Sequence, residues 1–187
     1  MQQDKRRPPR RRRGHGSRMA TGAEPFGSRR GCFRAVIRLR LTTGARSGRN
    51  LVESVDGGNS WRRVVDGLEH QYCWSVAISL ADSKTLLLST SKSAYGAHYK
   101  ESANSIIYRR TGSDAWIPVR KGLPDPQGLR IPVVAASSSE PGVFYCSTEG
   151  MVYRSEDDGL QWQELAVQWN SKAAAEHATG MAIVEEG

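Results

Sequence analysis

The stretch from Ser155 to Trp162 reads Ser-Glu-Asp-Asp-Gly-Leu-Gln-Trp, which is typical of a tight turn between two β-strands. Ser and Asp side chains accept hydrogen bonds from nearby backbone N–H groups and so fold the chain back. The glycine supplies a position where a positive φ costs little. The tryptophan is a large apolar anchor for the strand that follows. The pattern S-x-D-x-G-x-x-W therefore predicts a hairpin at this point.

The same turn occurs elsewhere in the chain. The pattern is matched at two places, through Ser54, Asp56, Gly58 and Trp61, and through Ser155, Asp157, Gly159 and Trp162. A degenerate copy precedes Trp116, where the leading Ser and the Asp are displaced. The spacing between successive tryptophans is 55 residues (116 − 61) and 46 residues (162 − 116). Repeats of roughly 40–50 residues with several short strands are typical of the blades of a β-propeller.

These residues resemble the Asp-box, or BNR, repeat of sialidase-like β-propellers. Sortilin-type propellers, the photosystem II assembly factor family and bacterial WD40/YVTN/BNR-like repeat proteins have similar repeats. The resemblance covers about residues 50–187, and it implies four-stranded blades with each Asp-box between the third and fourth strands. The family's Asp-boxes lie away from the usual active-site face, so they mark the fold and not a catalytic site. We therefore expect an all-β protein that forms a partial β-propeller.

Strand-forming segments bounded by turn residues define the expected blades. We predict about two complete four-stranded blades, with half a blade before them and one first strand after them. A short helical connector is expected over residues 170–178. Because both ends fall inside a repeat, we expect a fragment of a propeller, whose remaining blades could come from another chain. The predicted blade segments are residues 50–65, 73–120, 131–167 and 180–184.

The charge is distributed unevenly along the chain. Residues 1–50 hold fifteen Lys or Arg and two acidic residues, whereas residues 51–187 hold twelve and seventeen, which gives the net charge of +8. We therefore divide the chain into a disordered Arg-rich tail, residues 1–49, and the partial propeller, residues 50–187. A short alternating piece at 33–41 could form a strand. A nucleic-acid contact is conceivable only for the tail, which lacks aromatic residues for base stacking; a solvated tail, or a translated upstream segment, is the favoured interpretation.

Cysteine content and hydropathy further limit the class of protein. The three cysteines, Cys32, Cys73 and Cys146, show no CxxC spacing. Cys146 falls in an apolar strand, which favours a buried free thiol, while a Cys73–Cys146 disulfide stays open as an alternative. No apolar run reaches the ~18 residues of a membrane span, and no signal peptide is recognisable. By default this predicts a cytoplasmic protein with no membrane partner.

An insertion distinguishes one blade from the next. Trp116 follows Thr90 at an offset of 26 (116 − 90), whereas Trp162 follows Thr148 at an offset of 14 (162 − 148), and the extra residues fall in the loop 91–104. Insertions in repeat proteins map to loops and often to a binding face. The loop is our candidate binding surface, with a neutral surface loop as the alternative. Its candidate contact residues are Tyr95, His98, Tyr99 and Lys100.

No motif for catalysis or for a cofactor is recognisable. Sialidase-like chemistry needs an arginine triad, a Tyr–Glu nucleophile pair and an acidic proton donor, and no residue here matches those motifs; Tyr108 and Tyr153 fit blade packing better. Asp157 and Asp158 could hold Ca²⁺, but a turn role for Asp157 is favoured, and the histidines lack ligand spacing. We therefore predict no catalytic residue, metal or cofactor. The expected function is a non-enzymatic binding or scaffold protein with a protein or carbohydrate ligand; the alternative is a fragment of an exo-sialidase-like glycoside hydrolase.

Overall fold

The fold is known from a computed structural model, which describes residues 38–44, 48–169 and 177–184. Side chains are described from Asn50 onward, outside the gap at 170–176. Most of the predicted disordered tail and most of the predicted helical connector therefore lie outside the described residues, as does Cys32. Within the described part, no helix is long and apolar enough to span a bilayer.

The described chain folds into three antiparallel sheets, each a meander of strands in chain order. The first sheet has three strands, and the second and third have four each. A short 3₁₀ helix, Gly96–His98, follows the second strand of the middle sheet. The strands are β1 (Arg38–Gly44), β2 (Gly48–Ser54), β3 (Arg62–Arg63), β4 (Tyr72–Ile78), β5 (Thr85–Ser91), β6 (Ser105–Thr111), β7 (Ile117–Val119), β8 (Val133–Ala136), β9 (Phe144–Thr148), β10 (Met151–Ser155) and β11 (Gln163–Leu165).

The middle sheet is packed on both faces. Side chains alternate between the two faces of a strand, so Leu86 and Leu88 enter the core shared with the first sheet, while Leu87 enters the core shared with the third. Sheets that stack face to face in chain order are the arrangement of propeller blades. The fold is thus all-β and has the architecture of a partial β-propeller, as the sequence predicts.

Both complete blades agree with the predicted segments. The third strand of the middle blade, expected at 105–109, is β6, and the strand expected at 151–155 is β10. Trp61, Trp116 and Trp162 directly precede β3, β7 and β11, the last strand of each sheet. The tryptophans therefore occupy equivalent places in three successive blades.

The first blade is larger than expected. β1 pairs with β2 from Arg38 opposite Ser54 to Gly44 opposite Gly48, so this blade has three strands where only two were predicted. β1 lies inside the segment that the sequence assigns to the tail, and the boundary at position 50 is therefore too late. The possible strand at 33–41 is confirmed for its described residues, 38–41, where the period-2 alternation agrees with β1.

The prediction of a strand at 180–184 is wrong. Residues 177–184 form no regular structure, and Val184 is exposed. A strand needs a neighbour for its backbone N–H and C=O groups, and none of the described strands pairs with this segment. The apolar pattern alone was therefore insufficient.

The two described cysteines are free and buried. Cys73 lies in the core between the first and second blades and Cys146 in the core between the second and third, so the alternative of a disulfide between them is wrong. Burial raises the pKa of Cys73 to about 11 and raises that of Cys146 further. Both therefore act as small apolar core residues.

Candidate functional site

The first S-x-D-x-G-x-x-W turn is closed by its own side chains. Ser54 Oγ donates to Asp56 Oδ1 at 2.7 Å and accepts from the Gly58 N–H at 2.7 Å. Asp56 Oδ1 also accepts from the Ser60 N–H at 2.9 Å. Three backbone and hydroxyl donors are thereby satisfied within one turn, which fixes the direction in which β3 leaves it.

The second turn repeats these bonds. Ser155 Oγ donates to Asp157 Oδ1 at 2.8 Å and accepts from the Gly159 N–H at 3.0 Å. Asp157 Oδ1 accepts from the backbone N–H groups of Leu160 and Gln161 at 3.1 and 2.9 Å. The same residue types at the same spacing therefore make the same local structure 101 residues apart (155 − 54).

Both turn aspartates are held in the ionised form. Hydrogen bonds from Ser60 and Ser54 hold the pKa of Asp56 well below its usual range. Burial would raise the pKa of Asp157, but hydrogen bonds from Gln161, Ser155 and Leu160 lower it overall. Their oxygens are used by the turn, and the described residues contain no group of three His, Cys, Asp or Glu able to hold a metal ion.

Ser155→Ala should destabilise the fold by about 1–3 kcal/mol, because it leaves the buried Gly159 N–H without an acceptor. Urea unfolding followed by circular dichroism would measure the change. Ser113→Ala is the matched control, since Ser113 is exposed in the corresponding turn of the middle blade. Equal midpoints for the two variants would contradict the structural role of Ser155.

The degenerate turn before Trp116 is held by different contacts. Arg109 pairs with Ile117 in the same way that Glu53 pairs with Arg62. The next residue, Arg110, therefore occupies the position that Ser54 and Ser155 occupy in the other two turns. Arg110 reaches back to the preceding blade. Its Nη2 donates to Glu53 Oε2 at 2.7 Å, and its guanidinium carbon lies 4.8 Å from the centre of the Trp116 ring. An ion pair between blades thus takes the place of a turn closed by Ser and Asp.

Glu53 is the centre of this ion pair. It is 3% exposed and Arg110 is 5% exposed, while the second partner, Arg62 at 2.5 Å, extends into solvent. Burial would raise the pKa of Glu53, but hydrogen bonds and charge from Arg110, and then from Arg62, lower it overall. The carboxylate therefore stays ionised in the interior, where an unpaired charge is strongly disfavoured.

A cleft of about 190 Å³ lies over this pair, between the first and second blades. Three arginines and three acidic residues line it, so it has no net charge with which to select an anion. Two buried donors in its wall, Arg110 Nε and Trp116 Nε1, have no hydrogen-bond partner among the described residues. The charged lining residues are Glu53, Arg62, Arg63, Asp66, Arg110 and Asp114.

The tryptophans differ in their surroundings. Trp116 and Trp162 are each 2% exposed, whereas Trp61 is 42% exposed. The backbone N–H of Trp116 donates to Asp66 O at 3.4 Å, and that of Trp162 donates to Lys121 O at 3.0 Å. Each buried tryptophan is therefore covered by the exit turn of the blade before it.

The candidate binding loop presents an aromatic pair to solvent. Tyr95 is 73% exposed and Tyr99 is 54% exposed. Their rings stack with centres 4.9 Å apart and planes inclined by 26°. Lys100 is exposed beside them. The loop therefore displays two large amphipathic rings as one surface.

The base of the loop is fixed by backbone hydrogen bonds. The Ile131 N–H donates to Ala97 O at 2.8 Å, and the Gly128 N–H donates to Ala103 O at 2.8 Å. Ala97 and Ile131 are fully buried against Tyr72. These contacts join the loop to the connection between the second and third blades.

His98 is half-buried and lies in an aromatic cluster. Its ring is 4.7 Å from Trp74, 6.3 Å from Tyr72 and 5.3 Å from His177, measured between centres. Burial lowers the pKa of His177, and the charges of Arg130 and His98 lower it further. Of the four loop residues predicted to bind, the structure thus exposes Tyr95, Tyr99 and Lys100, whereas His98 packs against other aromatic rings.

Tyr108, Tyr153 and Arg130 have structural contacts. Tyr108 is buried and its hydroxyl accepts from the Glu69 N–H at 3.2 Å. Tyr153 is buried in the core between the second and third blades. Arg130 pairs with Glu149 through two hydrogen bonds of 3.1 Å. The prediction that both tyrosines serve blade packing is confirmed.

Comparisons with known proteins give partial similarities. No protein-family model matches the chain, and no curated protein matches it. Among solved structures, a Niastella koreensis GH74 enzyme is 20% identical over 69% of this chain, with a TM-score of 0.47, and an ancestral GH74 enzyme is 16% identical over 71%, with a TM-score of 0.48. YCF48 bound to D1 peptide is 19% identical over 63%, with a TM-score of 0.39.

The chain spans only a small part of each of these proteins: 16% and 18% of the two GH74 enzymes and 34% of YCF48. At these TM-scores the fold assignment depends on the chain's own three sheets and their shared cores. The activity and the peptide named for the neighbours belong to those proteins.

Proposed function

We propose that the chain is a non-enzymatic binding or scaffold protein of β-propeller architecture, which binds a protein or carbohydrate ligand through the loop 91–104. One observation supports this above the others: the stacked pair of Tyr95 and Tyr99 is exposed to solvent on a loop whose base is fixed.

An exposed stacked tyrosine pair suits a ligand-binding surface. Tyrosine is enriched at binding interfaces because its ring provides apolar contact area and its hydroxyl a polar contact, at a low cost in conformational entropy. The stacking of Tyr95 on Tyr99 holds both rings in place before a ligand arrives. A surface that is ordered in advance loses less entropy on binding.

Topology separates this surface from the repeated turns. In an antiparallel meander, the loop between the second and third strands lies at the same end of the strands as the connection that leaves the fourth strand. The bridge between Asn104 and Gln127 agrees with this placement. The turns at Ser54 and Ser155 each precede the last strand of their sheet, so they lie at the opposite end of the strands. The binding surface is therefore free to vary without changing the turns that hold the blades.

The double substitution Tyr95→Ala/Tyr99→Ala should lower ligand binding at least about tenfold, which corresponds to about 1.4 kcal/mol. The probes are an immobilised glycan array and an immobilised peptide array, screened with the full chain and followed by titration of the strongest binder. The thermal midpoint should stay within about 2 °C of the wild type, because both side chains are exposed surface residues.

Leu160→Ala is the matched control, because Leu160 is also an exposed large apolar residue but lies in a turn at the opposite end of the strands. It should leave the titration unchanged. The proposal is wrong if the wild-type chain binds neither array, or if the double variant binds as tightly as Leu160→Ala.

A further inference from the structure

The two interfaces between blades share one contact, which joins a tryptophan to a Gly-Leu turn. Gly67 follows Trp61 by six residues (67 − 61), and Gly122 follows Trp116 by six (122 − 116). Gly67 lies against the backbone of Trp116, and Gly122 against the backbone of Trp162. Each blade thus ends in a turn that covers the tryptophan of the next blade.

The two turns have the same backbone geometry. The Leu68 N–H donates to Val65 O at 3.0 Å, and the Leu123 N–H donates to Arg120 O at 3.1 Å. Gly67 and Gly122 have φ of 81° and 82°, a region that favours glycine. The carbonyl just before each glycine accepts from the tryptophan N–H, as described for Asp66 and Lys121. The contact is therefore a repeated unit of recognition between blades.

Among residues 50–169, nothing contacts Trp61 in the way that the Gly-Leu turns contact Trp116 and Trp162. Trp61 is 42% exposed, and no backbone acceptor for its N–H lies among residues 50–169. Val52 lies on the same face of the sheet as Trp61. Because Glu53 pairs with Arg62, Trp61 lies one position beyond that pair and diagonally across from Val52. The matching positions in the next two blades, Tyr108 and Tyr153, are buried.

We propose that the face formed by Trp61 and Val52 binds a β-hairpin of another polypeptide, whose last strand ends in a Gly-Leu turn with positive φ at the glycine. The carbonyl before that glycine would accept the Trp61 N–H, and the leucine would pack beside the indole, as Leu68 packs beside Trp116. This states the chemistry of a partner that fits this face, and it does not depend on the proposed function.

A second copy of the chain fits this face poorly. Its turns at Gly67 and Gly122 already cover its own Trp116 and Trp162. Its third blade has Gln168 at the glycine position (162 + 6) and leaves β11 by a different turn, in which the Val167 N–H donates to Leu165 O at 2.9 Å. Residues 1–37 contain no Gly-Leu pair, so their sequence does not supply the motif either.

The probe is a fluorescein-labelled hairpin peptide with the sequence of residues 105–124, closed by a disulfide between its ends so that its strands are paired. It carries the face that meets Trp162 in this chain, including Ile107, Val119 and Gly122. Fluorescence anisotropy with the full chain should show saturable binding. Trp61→Ala should weaken it at least tenfold, and Trp169→Ala should not, because Trp169 is an exposed tryptophan outside the face.

A peptide carrying Gly122→Ala should also bind at least tenfold more weakly, since its added methyl group would meet the tryptophan backbone. The proposal is overturned if the wild-type chain does not bind the hairpin, if Trp61→Ala binds it as well as Trp169→Ala does, or if the Gly122→Ala peptide binds as well as its parent. Sedimentation without peptide supplies a further test: self-association that Trp61→Ala abolishes would make a second copy the occupant instead.

Discussion

Glu53→Gln should lower the free energy of unfolding by about 3–5 kcal/mol, the range expected when one partner of a buried ion pair is removed. The substitution keeps the size of the side chain but leaves the Arg110 guanidinium, 5% exposed, without a compensating charge. Arg62 extends into solvent and can rehydrate. Urea unfolding at neutral pH, followed by tryptophan fluorescence, would measure the loss.

The pH dependence of stability should identify the same carboxylate. The pKa of Glu53 is lowered in the folded state, so its contribution is present above the unfolded value of about 4.3 and is lost as the pH falls through the folded value. The stability of the wild type should therefore fall below about pH 4. Glu53→Gln should lose less over the same interval, because it has no carboxyl group at this position to protonate.

Glu140→Gln is the control for a surface ion pair. Glu140 accepts from Arg154 at 2.6 Å but is 48% exposed. Exposed pairs contribute about 0–1 kcal/mol because both charges are solvated when apart. If Glu53→Gln and Glu140→Gln cost the same, Glu53 and Arg110 do not form a buried pair that stabilises the blade interface.

Local chemistry explains why the turns and the complete blades could be predicted from the sequence. The hydrogen bonds of Ser54 and Ser155 reach at most four residues along the chain. A short pattern therefore contains all the partners that the turn requires. The strand segments of both complete blades likewise follow from alternation and flanking turn residues.

Long-range contacts explain what the sequence did not predict. Arg110 binds Glu53 across 57 residues, and no local pattern links the two. The exposure of Trp61 depends on what packs against its sheet, although its turn matches the pattern fully. β1 is different, because it forms a local hairpin with β2. The alternation over 33–41 already indicated a possible strand there, although the arginine-rich composition assigned the segment to the tail.

The loop 91–104 falls between these cases. Its extra length, relative to the following blade, located it in the sequence. The stacking of Tyr95 on Tyr99 and the packing of His98 on Trp74 are tertiary contacts, and their geometry became available only with the fold. An insertion can thus be found by counting residues, but the surface it displays cannot.

Gly122→Ala should destabilise the fold by about 2–5 kcal/mol. Two physical costs add at this position. A left-handed φ costs an L-residue about 1–2 kcal/mol, and φ here is 82°. In addition, the new Cβ would overlap the backbone carbonyl of Trp162, which cannot rotate away as a side chain can. Relieving an overlap in a packed core costs about 1–3 kcal/mol.

Gly112→Ala separates the two costs. Gly112 has φ of 58° but has open space where a Cβ would be placed. This control should lose only the conformational part, about 1–2 kcal/mol. Parallel urea titrations of both variants would give the difference, which measures how closely the exit turn of the second blade approaches Trp162. If the two variants lose the same stability, that close approach does not hold the blades together, and the Gly-Leu contact proposed for Trp61 loses its precedent within the chain.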